Sequence, residues 1–496
     1  MKRKYFILSF LFFIIPVSAL MLYLVKEYHS WVYSDSSGNL VLASVLFKDK
    51  VLLSTDWWYS SEFRVLNIEQ INAIGFWLTG SYLGARVFSA IFSFGFLAAA
   101  CCYLCRQLPE LKNRMFILCG LMFMPYSSSW LDTLFLSQYY IINISIIYFS
   151  LGSILRMRRS CKRGLKILLI LLLSMASFLT SLQSVRMTLT LYVPLFITCF
   201  LVYLKHKDKS VLLPSSIYLT ASVFGYIGNR LLELSDKYVT SIDPGAIKFS
   251  PNFPVSYIGK FFSIWGFNVL SPCGCVISIC LIVASIYGAI CIFRKKDRDE
   301  FILLSFTVLL LAEFTVIYAF TDMGVAGRYN IPIAVCFFPL ALLGKVPEIH
   351  CAVKRIVIVA SVLLLLIHST VVLTNPAFVY PGADNRQKNE ELLAFLAILK
   401  EKNINEGYAE FEEGDIFTEL SDGYLEIWVV ENNEGGMVLH PCLQRRSHAD
   451  RLPSAPNFIV YTLDDFENSP FKEAALSGQL ESYVSPHFCM LILNDR

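Results

Sequence analysis

Asp35 stands in Tyr33-Ser34-Asp35-Ser36-Ser37-Gly38, shortly after the first apolar segment, and an amphipathic run from Asn39 to Phe47 follows it. Next comes Ser54-Thr55-Asp56-Trp57-Trp58-Tyr59-Ser60-Ser61-Glu62-Phe63-Arg64, which gathers acids, aromatic rings and a guanidinium. A carboxylate so placed can take the proton of an attacking hydroxyl. Rings can stack on a sugar, and an Arg fork can hold a phosphate through paired hydrogen bonds. Asp35, Asp56 and Glu62 are therefore candidate bases, Arg64 a candidate phosphate ligand, and Trp57 and Trp58 candidate lining of a substrate cavity. The plainer role for any one of them is a solvated loop residue.

Charge beside hydrocarbon is costly and usually has a partner or a task. Arg86 falls just inside the second apolar segment, and Arg186 and Arg328 fall at the ends of later ones. Each can snorkel to the headgroups, or its planar fork can pair with a lipid-linked phosphate. Asp132 follows Ser127-Ser128-Ser129-Trp130-Leu131, where it is either a second acid of the same cavity or a helix cap. Tyr329 lies beside Arg328 and joins the cavity candidates.

The elements that must position these residues are membrane spans. A chain of 496 residues with 55% hydrophobic and 16% charged residues is far from a soluble composition. Six basic clusters, Lys2–Lys4, Arg106–Arg114, Arg156–Lys166, Lys205–Lys209, Arg294–Arg298 and Lys345–Arg355, hold more than half of the 42 Lys and Arg residues. Such clusters mark cytoplasmic loops. They bound about eleven spans of roughly 20 residues: Tyr5–Leu24, Tyr82–Leu104, Met115–Leu131, Thr133–Leu155, Leu165–Ser184, Met187–Leu204, Val211–Ile227, Ser271–Phe293, Phe301–Phe320, Tyr329–Gly344 and Ile356–Leu373. The amino end is inside and the carboxyl end outside. The first segment is read as an uncleaved helix, because it lacks a small-residue cleavage site. The expected fold class is thus a polytopic α-helical membrane protein with a small extracytoplasmic α/β or α+β domain.

Two domains follow, 1–374 with an external loop at 25–81, and a tail at 375–496. In the tail, Asn389–Lys402 has helical periodicity. Gly407–Phe411, Leu425–Val430 and Asn457–Tyr461 read as strands, with a turn at Ser421-Asp422-Gly423. No basic face with interleaved aromatics marks a nucleic-acid surface. The 14 cysteines sit mostly alone in spans, and the one C-x-x-C, Cys102 to Cys105, has no second knuckle. Only Cys442 and Cys489 fall in the tail, where a disulfide is open to them. No cofactor is required by these residues, and no ligand set supports a divalent metal.

The acid soon after the first span, the long external loop, the span number and the outer tail together resemble the GT-C glycosyltransferases, which include protein O-mannosyltransferases, lipid A aminoarabinose transferases and Gtr-type O-antigen glucosyltransferases. Tyr33 to Val51 is similar to their acidic-then-amphipathic loop start, and Gly327-Arg328-Tyr329-Asn330-Ile331-Pro332 to their late Arg-Tyr pair. Asn405–Phe411 through Thr418–Gly423 resembles the outer lobe of bacterial members. Many members carry paired acids where Asp35 is followed by Ser36, which keeps Asp56 and Glu62 as candidate bases.

The resemblance implies a sugar donor on a polyprenyl phosphate and a cell-surface glycan or lipid-linked acceptor. It also implies inversion at the anomeric carbon on the outer face of a bacterial inner membrane. Arg328 first, then Arg86 or Arg64, would hold the departing phosphate. No nucleotide-binding fold is needed. The competing readings are a glycan or lipid transporter or flippase, and a polysaccharide polymerase or ligase. A transporter should show paired repeats or broken helices, and no two-half symmetry is visible.

Overall fold

The computed structural model describes residues 3–494 except 160–161, 236, 241–247, 252–255, 267–271, 323–325, 345–350, 375–384 and 434–435. Lys2, Lys345 and the start of the tail from Asn375 therefore lie outside the described residues. Among those described, eight helices are long and apolar enough to cross a membrane: Tyr5–Lys26, Tyr82–Gln107, Ile141–Arg159, Arg163–Gln183, Thr188–His206, Lys209–Glu233, Pro272–Lys295 and Arg298–Phe320. Two shorter apolar helices, Gly327–Leu343 and Val359–Thr374, accompany them. The chain is a multi-pass membrane protein.

By its contacts the chain divides into two compact units. The first is Met1–Leu22, Ala90–Arg230 and Pro244–Tyr380, and the second is Tyr23–Ser89, Leu231–Asp243 and Pro381–Arg496. The external stretch 25–81, grouped by sequence with the spans, thus has its contacts with the tail.

The first unit is a helical bundle whose outer faces are apolar. On Arg163–Gln183, Leu171, Leu172 and Met175 are more than half exposed, as lipid-facing side chains are. Where helices touch, small residues let backbones close up. A Cβ on Gly288 would fall 1.9 Å from the Leu340 carbonyl oxygen, and Ser285 Oγ donates to the Phe337 carbonyl at 3.0 Å. Ion pairs join four of the basic clusters. Arg158 meets Asp208 at 3.1 Å and also meets Asp299. Lys295 meets Glu300 at 2.8 Å and also meets Glu110.

The span expected over Met115–Leu131 is not one helix. Helix Met115–Phe123 ends because Pro125 follows Met124, which is extended at φ −72°, ψ 128°. A residue before proline is pushed out of the helical region. Ser127 then caps a short helix, Ser128–Leu131, by accepting from the Trp130 N–H at 3.2 Å. That helix runs into a π-helical turn, Asp132–Leu136.

The second unit is built on a mixed sheet. Its long strands are β3 (Glu406–Glu410), β4 (Glu426–Asn433), β5 (Gly436–Leu439), β6 (Asn457–Thr462), β7 (Glu481–Val484) and β8 (Phe488–Leu493). Their order is β5-β4-β3-β6-β8-β7, with β3 parallel to both β4 and β6. The parallel β3–β4 pair needs a crossover, which helix Phe411–Leu420 supplies. Two further short strands, β1 (Trp58–Tyr59) and β2 (Val239–Thr240), pair in parallel. Helix Ser34–Asp49 contributes Leu42, Val45 and Leu46 to a core shared with Trp57, Tyr59, Phe63 and Leu443. Cys442 and Cys489 form no disulfide.

The tail and the external stretch are also tied by polar groups. Arg86 and Glu419 are 4% and 2% exposed. The Arg86 guanidinium donates to Glu419 through Nε at 2.5 Å and Nη2 at 2.6 Å. Tyr28 Oη donates to the same carboxylate at 2.5 Å. The Asp422 carboxylate accepts from the Tyr82 N–H at 2.7 Å and so caps the Tyr82–Gln107 helix. It reaches that position because Asp422 and Gly423 are both left-handed, at φ 55° and 74°.

Removing one member of a buried ion pair leaves the other charge stranded, which costs about 3–5 kcal/mol. Arg86→Met and Glu419→Leu should each destabilise the second unit by that amount, and the double variant by less than either. Pulse proteolysis of the full-length protein across a urea series reads both.

Candidate active site

Asp35 occupies the first turn of helix Ser34–Asp49, where the macrodipole favours an acid. It is half-buried, and its carbonyl accepts from Asn39 Nδ2 at 2.7 Å. The neighbouring Ser34 hydroxyl donates to Glu412 at 3.2 Å. The Asp35 charge acts on Asp415, an acid of the tail. Burial, with the Glu419 and Asp35 charges adding to it, holds the Asp415 carboxyl well above the usual range.

The other acids and cations of the second unit have structural partners. Asp56 accepts from the Ser447 N–H at 2.7 Å and from its hydroxyl at 2.9 Å, and pairs with Arg445 at 3.4 Å. Arg64 lies between Glu62 at 3.7 Å and Glu69 at 3.4 Å. Glu69 is fully buried, and burial raises its carboxyl. Trp57 is 1% exposed and is part of the core; Trp58 is half-buried in its short strand. Arg86, expected to hold a lipid phosphate, instead has its fork filled by Glu419 and lies 4.9 Å over the Trp31 ring. A buried bidentate partner gives it a structural duty. Among the described residues, Asn39 hydrogen-bonds to Asp35, and the Asp35 charge is felt at Asp415.

The remaining candidates lie in the first unit. Asp132 is buried at the start of its π-helical turn and accepts a hydrogen bond from the Ser137 hydroxyl. Such turns widen a helix locally and recur at functional sites. A second one, Thr188–Tyr192, begins just after Arg186. The Arg186 guanidinium lies 5.0 Å from the Tyr140 ring and 5.9 Å from the Tyr329 ring. Arg328 lies 5.6 Å from the Tyr329 ring, in the turn Gly327–Asn330. A Cβ on Gly327 would be 3.8 Å from Ser129 Oγ, so that turn packs close to the Ser128–Leu131 helix. Among the described residues, Arg328 makes no ion pair. Ring faces stabilise a cation without neutralising it, so the Arg328 guanidinium keeps its charge beside the Tyr329 ring.

The whole chain superposes on solved membrane proteins. ArnT from Cupriavidus metallidurans bound to undecaprenyl phosphate matches with a TM-score of 0.60 and 10% identity, over 97% of this chain and 97% of that one. Its apo form gives 0.58 at 10% identity over 92% and 93%. The oligosaccharyltransferase AglB from Archaeoglobus fulgidus, in complex with an inhibitory peptide and a dolichol-phosphate, gives 0.54 at 10% identity over 97% of this chain and 74% of that one. The chain shares the fold of these solved proteins. No family model matches the sequence, and no curated protein matches it.

Sequence reasoning missed Asp415, Glu419 and Tyr140, and read Arg186, like Arg86 and Arg328, as either a snorkelling charge or a phosphate ligand. Tyr140 had a signal, since Gln138-Tyr139-Tyr140 follows Asp132 at the same junction. Asp415 and Glu419 had none, because Asp35, whose charge acts on Asp415, and Arg86, which pairs with Glu419, lie far away in the chain.

Asp415 is not alone in being held neutral. Burial pushes Glu413 up to about 8 and is also the main cause raising Glu410 to about 8. Each gains stability for the fold that is complete below the unfolded-chain value of 4.5 and is lost as pH rises through about 8. The second unit should therefore weaken between pH 5 and 8.5, and Glu413→Gln should flatten that slope. Urea midpoints taken across the pH series check this; an unchanged slope in the variant would exclude Glu413 as the source.

Proposed function

We propose that the protein transfers a sugar from a polyprenyl-phosphate donor to a cell-surface glycan or lipid-linked acceptor on the extracytoplasmic side of a bacterial inner membrane. The observation that carries this reading is the fold shared over 97% of both chains with a protein whose structure holds undecaprenyl phosphate. The topology that goes with it has about eleven crossings, the amino end inside, a membrane domain at 1–374 and an extracytoplasmic domain at 375–496.

Asp35 is the proposed base. It accepts the proton of an acceptor hydroxyl as that oxygen attacks the anomeric carbon. The bond from that carbon to the phosphate oxygen breaks in the same displacement, and its electron pair leaves with the lipid phosphate. Attack opposite the leaving group inverts the centre. Arg328, with Arg186 beside the same Tyr329 ring, meets the developing phosphate charge. Asp132 and Tyr329 line the donor end. Asp56 and Glu62 remain second choices as base, although both have partners inside the second unit.

Purified protein supplied with a panel of radiolabelled polyprenyl-phosphate sugars and a glycan acceptor tests this. Asp35→Asn should lower lipid-phosphate release by about 100-fold or more, the usual contribution of a positioned base. Normal turnover in that variant would reject Asp35. Arg328→Ala should raise the donor KM about tenfold or more, as loss of a charge-assisted hydrogen bond does. An unchanged donor KM would remove Arg328 from the phosphate site.

A further inference from the structure

A cleft of about 260 Å³ opens in the second unit, and the scheme above does not use it. Drug-sized ligands fill roughly 300–1,000 Å³, so this one suits a single small ring. One side is the face of helix Ser34–Asp49 that carries Val41, Ser44, Val45 and Lys48, residues three and four apart and therefore on one face. Tyr82 and the tail residues Asp415, Thr418 and Tyr424 line it as well.

Asp415 is the informative member. It is 5% exposed, yet among the described residues its carboxyl makes no hydrogen bond and no ion pair. A buried polar group without a partner is expensive, and this one belongs to the cleft lining. Its Oδ2 lies 2.7 Å from where a Cβ on Gly38 would be, so a side chain there would displace it. Burial favours its protonated form, which offers one O–H donor and keeps acceptor capacity. Trp57 Nε1, from another lining residue, is likewise buried without a partner.

The other charges at the cleft are spent within the protein. Glu426 is ionised, held down to about 2 first by its hydrogen bond from His448 and then by Arg451, and Arg445 is paired with Asp56. Lys48 is exposed and makes no ion pair among the described residues. What the cleft offers a ligand is therefore a neutral acid, the hydroxyls of Ser44 and Thr418, aromatic side chains and one unspent cation. That set fits a hydroxyl-rich ring of low charge, and not a polyanion or an apolar chain.

We infer that the cleft is a saccharide-binding subsite, with Asp415 exchanging hydrogen bonds with ring hydroxyls and Lys48 at the mouth. That the bound unit belongs to the acceptor glycan rests on the transferase reading; the binding itself does not.

Saturation-transfer NMR on the full-length protein in detergent, with neutral hexose disaccharides and a uronate-containing disaccharide and no lipid donor present, tests it. Wild type should bind at least one of these sugars. Asp415→Leu should weaken binding about tenfold or more, whereas Asp415→Asn, which restores a donor and an acceptor, should stay within about threefold. Lys48→Ala should weaken the uronate more than the neutral sugars.

Absence of binding by wild type to every sugar, or undiminished binding by Asp415→Leu, overturns the inference. If Asp415→Leu does not fold, Lys48→Trp fills the mouth from an exposed position, and undiminished binding there overturns it equally. Asp35→Asn separates the two readings. Sugar binding by wild type and by this variant, with no turnover of any polyprenyl-phosphate sugar, keeps the subsite and drops the transferase. Turnover by wild type without sugar binding does the reverse.

Discussion

A guanidinium and a carboxylate taken out of water can coexist only if each supplies what the solvent gave the other. Arg86 and Glu419 meet that condition through two parallel hydrogen bonds, the Tyr28 hydroxyl, the Trp31 ring face and the Ser36 carbonyl, which accepts from Arg86 Nη2 at 3.1 Å. Desolvating such a pair costs several kcal/mol per ion before any attraction is counted. An apolar pair of similar volume would hold the same elements together at less cost. What an apolar pair lacks is direction: the fork accepts a carboxylate in one plane only. The pair thus fixes how the start of helix Ser34–Asp49 meets helix Phe411–Leu420, and Asp35 and Asp415 stand on those two elements.

Burial then decides which acids carry charge. Glu419 has a guanidinium, whereas Asp415 has no cation and lies between the fields of Glu419 and Asp35. Three acids near one helix terminus would repel one another if all were ionised. Neutralising Asp415 removes that repulsion without moving the backbone. Glu413 and Glu410 are treated the same way, and for both burial is the first cause. Glu426, on the same sheet, shows the contrast: with His448 and Arg451 in contact it is held down to about 2. The difference between these carboxyls is made by partners and depth.

Much of this architecture is legible in the chain. Long apolar runs bounded by basic clusters gave the helices Tyr82–Gln107, Arg163–Gln183 and Arg298–Phe320 nearly to the residue. The amphipathic run after Asp35 is a helix, and β4 and β6 lie where β-branched and aromatic residues collect. Met115–Leu131 was misread because its hydropathy is continuous through Pro125, and hydropathy is blind to the proline constraint on Met124. β8 was missed because Phe488–Leu493 has no alternation; it is buried along nearly its whole length, as a strand inside a sheet is. The acids at 415 and 419 could not be assigned at all. Arg86 signals that some partner exists, but its partner lies 333 positions away, and no local pattern carries that pairing.

The broken elements of the first unit follow from the same economy of polar groups. In hydrocarbon a helix cannot leave backbone groups unpaired, so an interruption near a span end needs local repayment. Ser127 provides it by capping Ser128–Leu131, and Ser137 closes the π-helical turn through its N–H to the Asp132 carbonyl at 2.9 Å. The reward for such a turn is position. It rotates the residues that follow relative to a regular helix, bringing Tyr140 to 5.0 Å from the Arg186 guanidinium, which itself precedes the second π-helical turn. Cations that face rings stay charged in a setting where paired cations would be neutralised, and Arg328 has the same kind of neighbour in Tyr329.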